Sequence, residues 1–146
     1  MMDLSKFAEN LSSYMQEKNI HAPALALQIQ TDRSNITRYL RGERLPSFKG
    51  FLALCDYFAV SADVLLGLKD FTSEREFLCV ENFSERLRRV MAETGVTQYR
   101  LEKDTAISGA SVYKWLFGLS LPSVENLVKL ATYMDVSVDY LLGRTQ

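Results

Sequence analysis

Two cysteines, one histidine and no long apolar run are what this 146-residue chain offers to the chemistries that depend on them. Cys55 and Cys79 are too few for a disulfide framework or a zinc site, and Cys55 follows Leu54 in an apolar pattern that places it in a core. His21 has no second histidine with which to hold a metal and no G-x-S-x-G context in which to activate a serine. No Gly-rich loop precedes a helix to cradle phosphate. These absences argue against an enzyme, a metal site and a bound cofactor. No uninterrupted stretch of about 18 apolar residues reads as a membrane span. The opening MMDLSKFAEN carries charge where the apolar core of a signal peptide would sit, so the expected location is the cytoplasm. Positive charge is also not in excess. The net charge is -1, so any contact with nucleic acid must come from local clusters.

What is present is a repeat. Sliding the sequence by 76 residues aligns Phe7–Gly67 with Phe83–Gly143 without a gap, and nineteen of the 61 pairs are identical. Others are conservative, such as Ile20/Val96, Ile36/Val112, Tyr39/Trp115 and Phe58/Met134. Two copies are too few for a solenoid, which needs about three units to share a core. The expected organisation is a duplicated domain, with copy one at residues 1–68, a connector at 69–82 and copy two at 83–146.

Each copy reads as five short helices. The first carries an apolar stripe of Phe7, Leu11, Tyr14 and Met15, matched by Phe83, Leu87, Val90 and Met91. The second begins near His21 or Thr97, and Pro23 is tolerated in a first turn. The third starts after Asp32 or Ser108, both capping types, and stops at Gly42 or Gly118. Ser47 and Ser123 cap a fourth, and Ser61 and Ser137 open a fifth that Gly67 and Gly143 close. No β-branched alternation is long enough for a sheet, which makes the fold class all-α. In the connector, Ser73-x-x-Glu76 reads as a capping box, and Phe77, Val80 and Phe83 keep helical spacing toward Leu87. A helical extension of copy two is expected there. The matched aromatics Tyr39, Trp115, Tyr57 and Tyr133 fall on apolar stripes and are expected in the core.

The third helix shows what the copies do not share. At about 100° per residue, Ile36, Tyr39 and Leu40 fall in one arc, and Arg33, Ser34, Thr37, Arg38 and Arg41 fall in another, with Asn35 at its border. Over residues 33–49 five positive side chains (Arg33, Arg38, Arg41, Arg44, Lys49) face one carboxylate, Glu43, a local excess of +4. Arginine can bridge guanine, asparagine adenine, and threonine can touch a thymine methyl. An ordinary solvated helix face would carry a similar pattern, and charge alone does not separate the two.

The order of elements does more. A Thr-Gln-led helix, a tight turn, a Ser-led helix and then Gly-x-x-x-Pro-Ser stand in TQYRLEKDTAISGASVYKWLFGLSLPS, and the matching stretch of copy one is HAPALALQIQTDRSNITRYLRGERLPS. Both copies close on VSVDYLLG or VSADVLLG. This arrangement resembles the Cro/repressor-type helix-turn-helix family of bacterial and phage regulators, over nearly the whole chain and twice.

The resemblance implies two tandem five-helix lambda-repressor-like DNA-binding domains, with the third helix of each in the major groove and the second across the backbone. It implies base-facing positions at Arg33, Ser34, Asn35, Thr37 and Arg38 in copy one, with Arg41 and Arg44 beside them. In copy two they are Gly109, Ala110, Ser111, Tyr113 and Lys114. The family's phosphate-contacting glutamine is Gln98, after Thr97, but Ala22 in copy one. Its turn glycine is Gln30 in copy one and Ala106 in copy two. Either residue accepts a left-handed backbone or the turn differs. Copy two also has zero net charge over residues 109–125 and an apolar outward set of Tyr113, Phe117 and Leu119. Two readings stay open for it, a second DNA reader and a protein-contact module. For the whole chain, the expected function is a sequence-specific double-stranded-DNA-binding regulator, a repressor, acting as a homodimer mainly through copy one. The alternative is a protein-interaction or antitoxin-like module with weak DNA affinity.

Overall fold

The computed structural model describes residues 2–73, 76–78 and 82–146. Among them every regular element is a helix, and the chain is all-α. It divides into two compact units, Met1–Phe77 and Leu78–Gln146.

The first unit holds α1 (Leu4–Glu17), α2 (Ala22–Gln28), α3 (Arg33–Leu40), α4 (Phe48–Phe58) and α5 (Ala62–Leu65). Asp3 caps α1, its carboxylate accepting from the Ser5 amide at 2.9 Å and hydroxyl at 2.7 Å. The predicted stripe of α1 is buried at Phe7, Leu11 and Met15, while Tyr14 is half-buried and stacks on Phe58. Leu25, Ile36, Phe51, Leu54 and Leu65 complete a core with no exposed surface. Full burial of such a side chain is worth roughly 1.5–3 kcal/mol, and α3 is held between α1 and α2 by Ile36 and Tyr39. The end of α3 follows from Gly42. Its φ of +71° lets the Glu43 amide turn back to the Arg38 carbonyl at 3.0 Å and the Gly42 amide to Tyr39 at 3.1 Å.

The second unit holds α6 (Phe83–Thr94), α7 (Gln98–Asp104), α8 (Gly109–Leu116), α9 (Val124–Met134) and α10 (Val138–Leu142). The inner helices α2, α3 and α4 start 76 residues before α7, α8 and α9. Leu87, Val90, Leu101, Val112, Leu127, Leu130 and Leu141 form its core. Ser108, Ser123 and Ser137 cap their helices through the side chain as expected. Asp32 does not: it occupies the capping position of α3, but its carboxylate makes no cap hydrogen bond. His21 likewise precedes α2 without a side-chain cap bond.

The unit boundary falls at Phe77/Leu78, inside the expected connector. Glu76, Phe77 and Leu78 lie in no helix, and the Leu78 amide donates to the Arg144 carbonyl at 2.8 Å. Asn82 caps α6, accepting from the Glu85 amide at 3.2 Å, so the helix starts at Phe83. Glu74, Arg75 and Val80 of the expected extension, and Cys79, lie outside the described residues. Cys55 is fully buried. Tyr39 and Trp115 are core, whereas Tyr57 and Tyr133 are only half-buried and act through their polar surroundings. Lys18 sits 4.4 Å from the Tyr57 ring centroid, and the Tyr133 hydroxyl donates to Asp104 at 2.5 Å, which raises the tyrosine pKa. Among the described residues, no helix is long and apolar enough to cross a membrane and no group of three or more metal-ligating side chains gathers.

Candidate nucleic-acid interface

The surface of interest in the first unit is built by α2, the turn after it and α3. Helix α2 ends at Gln28, and Gln30 takes a left-handed φ of +57°. That conformation lets the Thr31 amide reach the Ala26 carbonyl at 2.9 Å and redirects the chain into α3. A non-glycine residue there costs about 1–2 kcal/mol.

The second unit solves the same turn differently. Thr105 ends α7 in an extended conformation, φ -124° and ψ 169°, and Ala106 is not among the left-handed residues. The Thr105 hydroxyl donates to Leu101 at 2.5 Å and accepts from the Ile107 amide at 3.1 Å, so a side chain replaces the backbone twist. The sequence explains why. Ile29 and Thr31 flank the first turn and Thr105 and Ile107 the second, with apolar and hydroxyl residues exchanged. The buried residue is Ile29 in one and Ile107 in the other.

With Ile36 and Tyr39 fixed inward, α3 turns Arg33, Ser34 and Arg38 to solvent, followed by Arg41 and Arg44. No carboxylate lies on the helix itself. Glu43 approaches Arg41 at 4.0 Å, with both side chains more than half exposed, a geometry worth at most about 1 kcal/mol. Arg38 lies in the last turn, where the helix dipole favours a cation. Asn35 and Thr37 are half-buried and locally engaged. Asn35 Nδ2 donates to Thr31 Oγ1 at 2.8 Å, and the Thr37 hydroxyl donates to the Arg33 carbonyl at 3.2 Å. Burial pushes the Tyr39 pKa up, while Arg44 beside it and the Thr31 hydroxyl pull it down. Thr31 was not singled out in the sequence. Its signal was there: positions 31, 35 and 39 read Thr, Asn, Tyr in one copy and Ile, Ser, Trp in the other.

The corresponding surface of the second unit is apolar. Tyr113 is 49%, Phe117 56% and Leu119 67% exposed, and Leu121 joins them. The Tyr113 and Phe117 rings lie 4.5 Å apart. Arg88 covers Phe117, its guanidinium 5.3 Å from the ring centroid, and donates to the Leu116 carbonyl. Lys114 is exposed on the same helix, and Ala110 stands beside it. Ser111 is half-buried, its hydroxyl accepting from Ser108 at 2.9 Å. Thr97 caps α7 by accepting from the Arg100 amide at 3.1 Å. Gln98, half-buried, donates to the Gly109 carbonyl at 3.2 Å and so ties α7 to the start of α8. Ala22, its counterpart in copy one, can make no such bond.

Residues 87–141, from α6 into α10, match the family model described as Helix-turn-helix. Over that segment the chain matches a Cro/repressor-type helix-turn-helix domain. Among curated proteins it is similar to the cryptic phage CTXphi transcriptional repressor RstR of Vibrio cholerae serotype O1, 38% identical over 60 residues. That match takes in 41% of this chain and spans about half, 54%, of the repressor's length. No solved structure matches the chain.

Proposed function

We propose that the protein is a sequence-specific double-stranded-DNA-binding transcriptional regulator, a repressor, built from two copies of the helix-turn-helix domain and reading DNA mainly through α3. The exposed arginine face of α3 carries this reading. Arg33, Ser34 and Arg38 would meet base edges in the major groove, with the Thr37 methyl available to thymine, and Arg41 and Arg44 would hold phosphates. The domain match and the similarity to a transcriptional repressor support the class of function. The common offset of the inner helices supports a duplicated origin for the first unit, which the family match does not span.

The protein would act as a homodimer, each α3 taking one half-site of an inverted repeat about 34 Å apart. The aromatic face of α8 supports a contact role for the second unit, since contiguous exposed apolar patches mark interaction sites. A weak second reader remains the other use of that unit, with Thr97 and Gln98 at the backbone and Ser111, Tyr113 and Lys114 at the bases. For the whole chain, the same α8 face favours one competing class, a protein-interaction module with little DNA affinity. Selecting bound duplexes from a random library separates the two. An inverted-repeat motif is the expected result, and recovery of no motif would sink the regulator.

A further inference from the structure

Three side chains gather where the turn enters α3. Asn35 Nδ2 donates to Thr31 Oγ1 at 2.8 Å, and the Thr31 hydroxyl lies near enough to Tyr39 to pull its pKa down against the larger upward effect of burial. Tyr39 is 4% exposed and packs edge-on against Phe7 of α1, with ring centroids 6.3 Å apart. Thr31 is also tied through its amide to the Ala26 carbonyl of α2. The set therefore runs from α2 through the turn to α3 and down to α1. Residues 31, 35 and 39 are spaced by four, so they share one side of the helix and its lead-in. Reading adenine through two bonds needs the asparagine amide plane aimed at a base edge. The bond to Thr31 holds that plane toward the turn instead.

The second unit replaces all three members together. Ile107 and Trp115, at 5% and 4% exposure, are buried at the positions of Thr31 and Tyr39, and Ser111 takes its hydrogen bond from its own capping residue. In the first unit a side-chain hydrogen bond ties the turn to the helix, and in the second the turn position is filled by a buried isoleucine.

We propose that Asn35 is a positioning residue, which locks α3 to the Thr31 turn and so sets the angle at which Arg33 and Arg38 are presented, and does not itself read a base. This rests on the reading of α3 as the DNA-reading helix. The test uses the full chain, the duplex selected by the wild type, and single-base variants of that duplex. Thr31→Val and Asn35→Ala should each weaken binding about fivefold, the scale of one lost hydrogen bond. They should do so equally on all the duplexes, and the double variant should bind no worse than either single one. The triple exchange T31I/N35S/Y39W should recover most of the loss. Melting temperatures, which need no DNA, should show the same non-additivity. If Asn35→Ala flattens preference at one base pair while Thr31→Val binds as the wild type does, the role is wrong and Asn35 is a reader. If the two changes add in melting temperature, the network is not a unit and the role also falls. A wild type that selects no duplex would bring down the regulator reading first, and this role with it.

Discussion

Ile36 and Tyr39 on α3 are buried to the same degree as Val112 and Trp115 on α8, yet the outward neighbours of each pair have little in common. On α3 they are Arg33, Ser34 and Arg38. On α8 they are Tyr113 and Lys114, with Phe117 just past the helix end. Both helices are eight residues long and each is followed by a left-handed glycine, Gly42 or Gly118. The frame thus constrains only the inward positions and the exit, and leaves charge and chemistry of the outer face free. One face is cationic. The other, with Phe117 under Arg88, is better suited to an apolar partner.

The two outer faces differ most at Phe117, which stands where the first unit has Arg41. Phe117→Arg puts a cation into the apolar face, and under the proposed arrangement it should yield monomers. Losing the second half-site should weaken operator binding about 100-fold or more, the usual scale for linked sites. Sedimentation and a gel shift on the same samples check it. A wild type that sediments as a monomer at high concentration would remove the contact role from α8.

The next effect sharpens the charge difference. Arg33→Ala or Arg38→Ala should each cost about 1–3 kcal/mol of operator affinity and relax preference at one base pair. Lys114→Ala and Gln98→Ala should cost less. The reverse order in a titration series would make the second unit the principal reader.

Arg44 lies beyond α3 and is expected on phosphate rather than on a base. Arg44→Ala should weaken all duplexes alike and lower the slope of log affinity against log salt by about one unit. A loss confined to one operator sequence would move Arg44 to a base edge.

How far the residues foretold this is uneven, for physical reasons. Helix positions followed from periodicity and capping residues because both are local signals: α4, α8 and α9 start where Ser47, Ser108 and Ser123 cap them, and α3 starts after Asp32 although its carboxylate makes no cap bond. The arginine face was legible for the same reason. The capping box at Ser73 opens no helix at residues 76–78, the rest of its expected extension lies outside the described residues, and α6 starts at Phe83 with Asn82 as its cap. Two features of the interface were not legible from spacing. The Gln98 bond to Gly109 depends on how α7 and α8 approach each other, and the Asn35 bond to Thr31 on the turn that carries Thr31 into α3. On Phe117 the pattern showed an exposed ring but not the Arg88 guanidinium over it, 29 residues earlier in the chain.

The smallest expected effect lies in the turns, and it carries opposite signs in the two units. Gln30 sits at φ +57°, where a Cβ is strained and glycine is not. Gln30 is exposed, so its side chain brings little to offset that strain. Gln30→Gly should therefore stabilise the first unit by up to about 1 kcal/mol, less the extra chain entropy that glycine adds to the unfolded state. Ala106 stands at the aligned position without a left-handed φ, because the Thr105 hydroxyl makes the turn. Ala106→Gly relieves nothing and should destabilise the second unit by about 0.5–1 kcal/mol through unfolded-state entropy alone. Chemical denaturation of both variants measures the difference in sign. Equal destabilisation by the two substitutions would mean that Gln30 does not hold the left-handed conformation in solution, and that the two units share one turn after all.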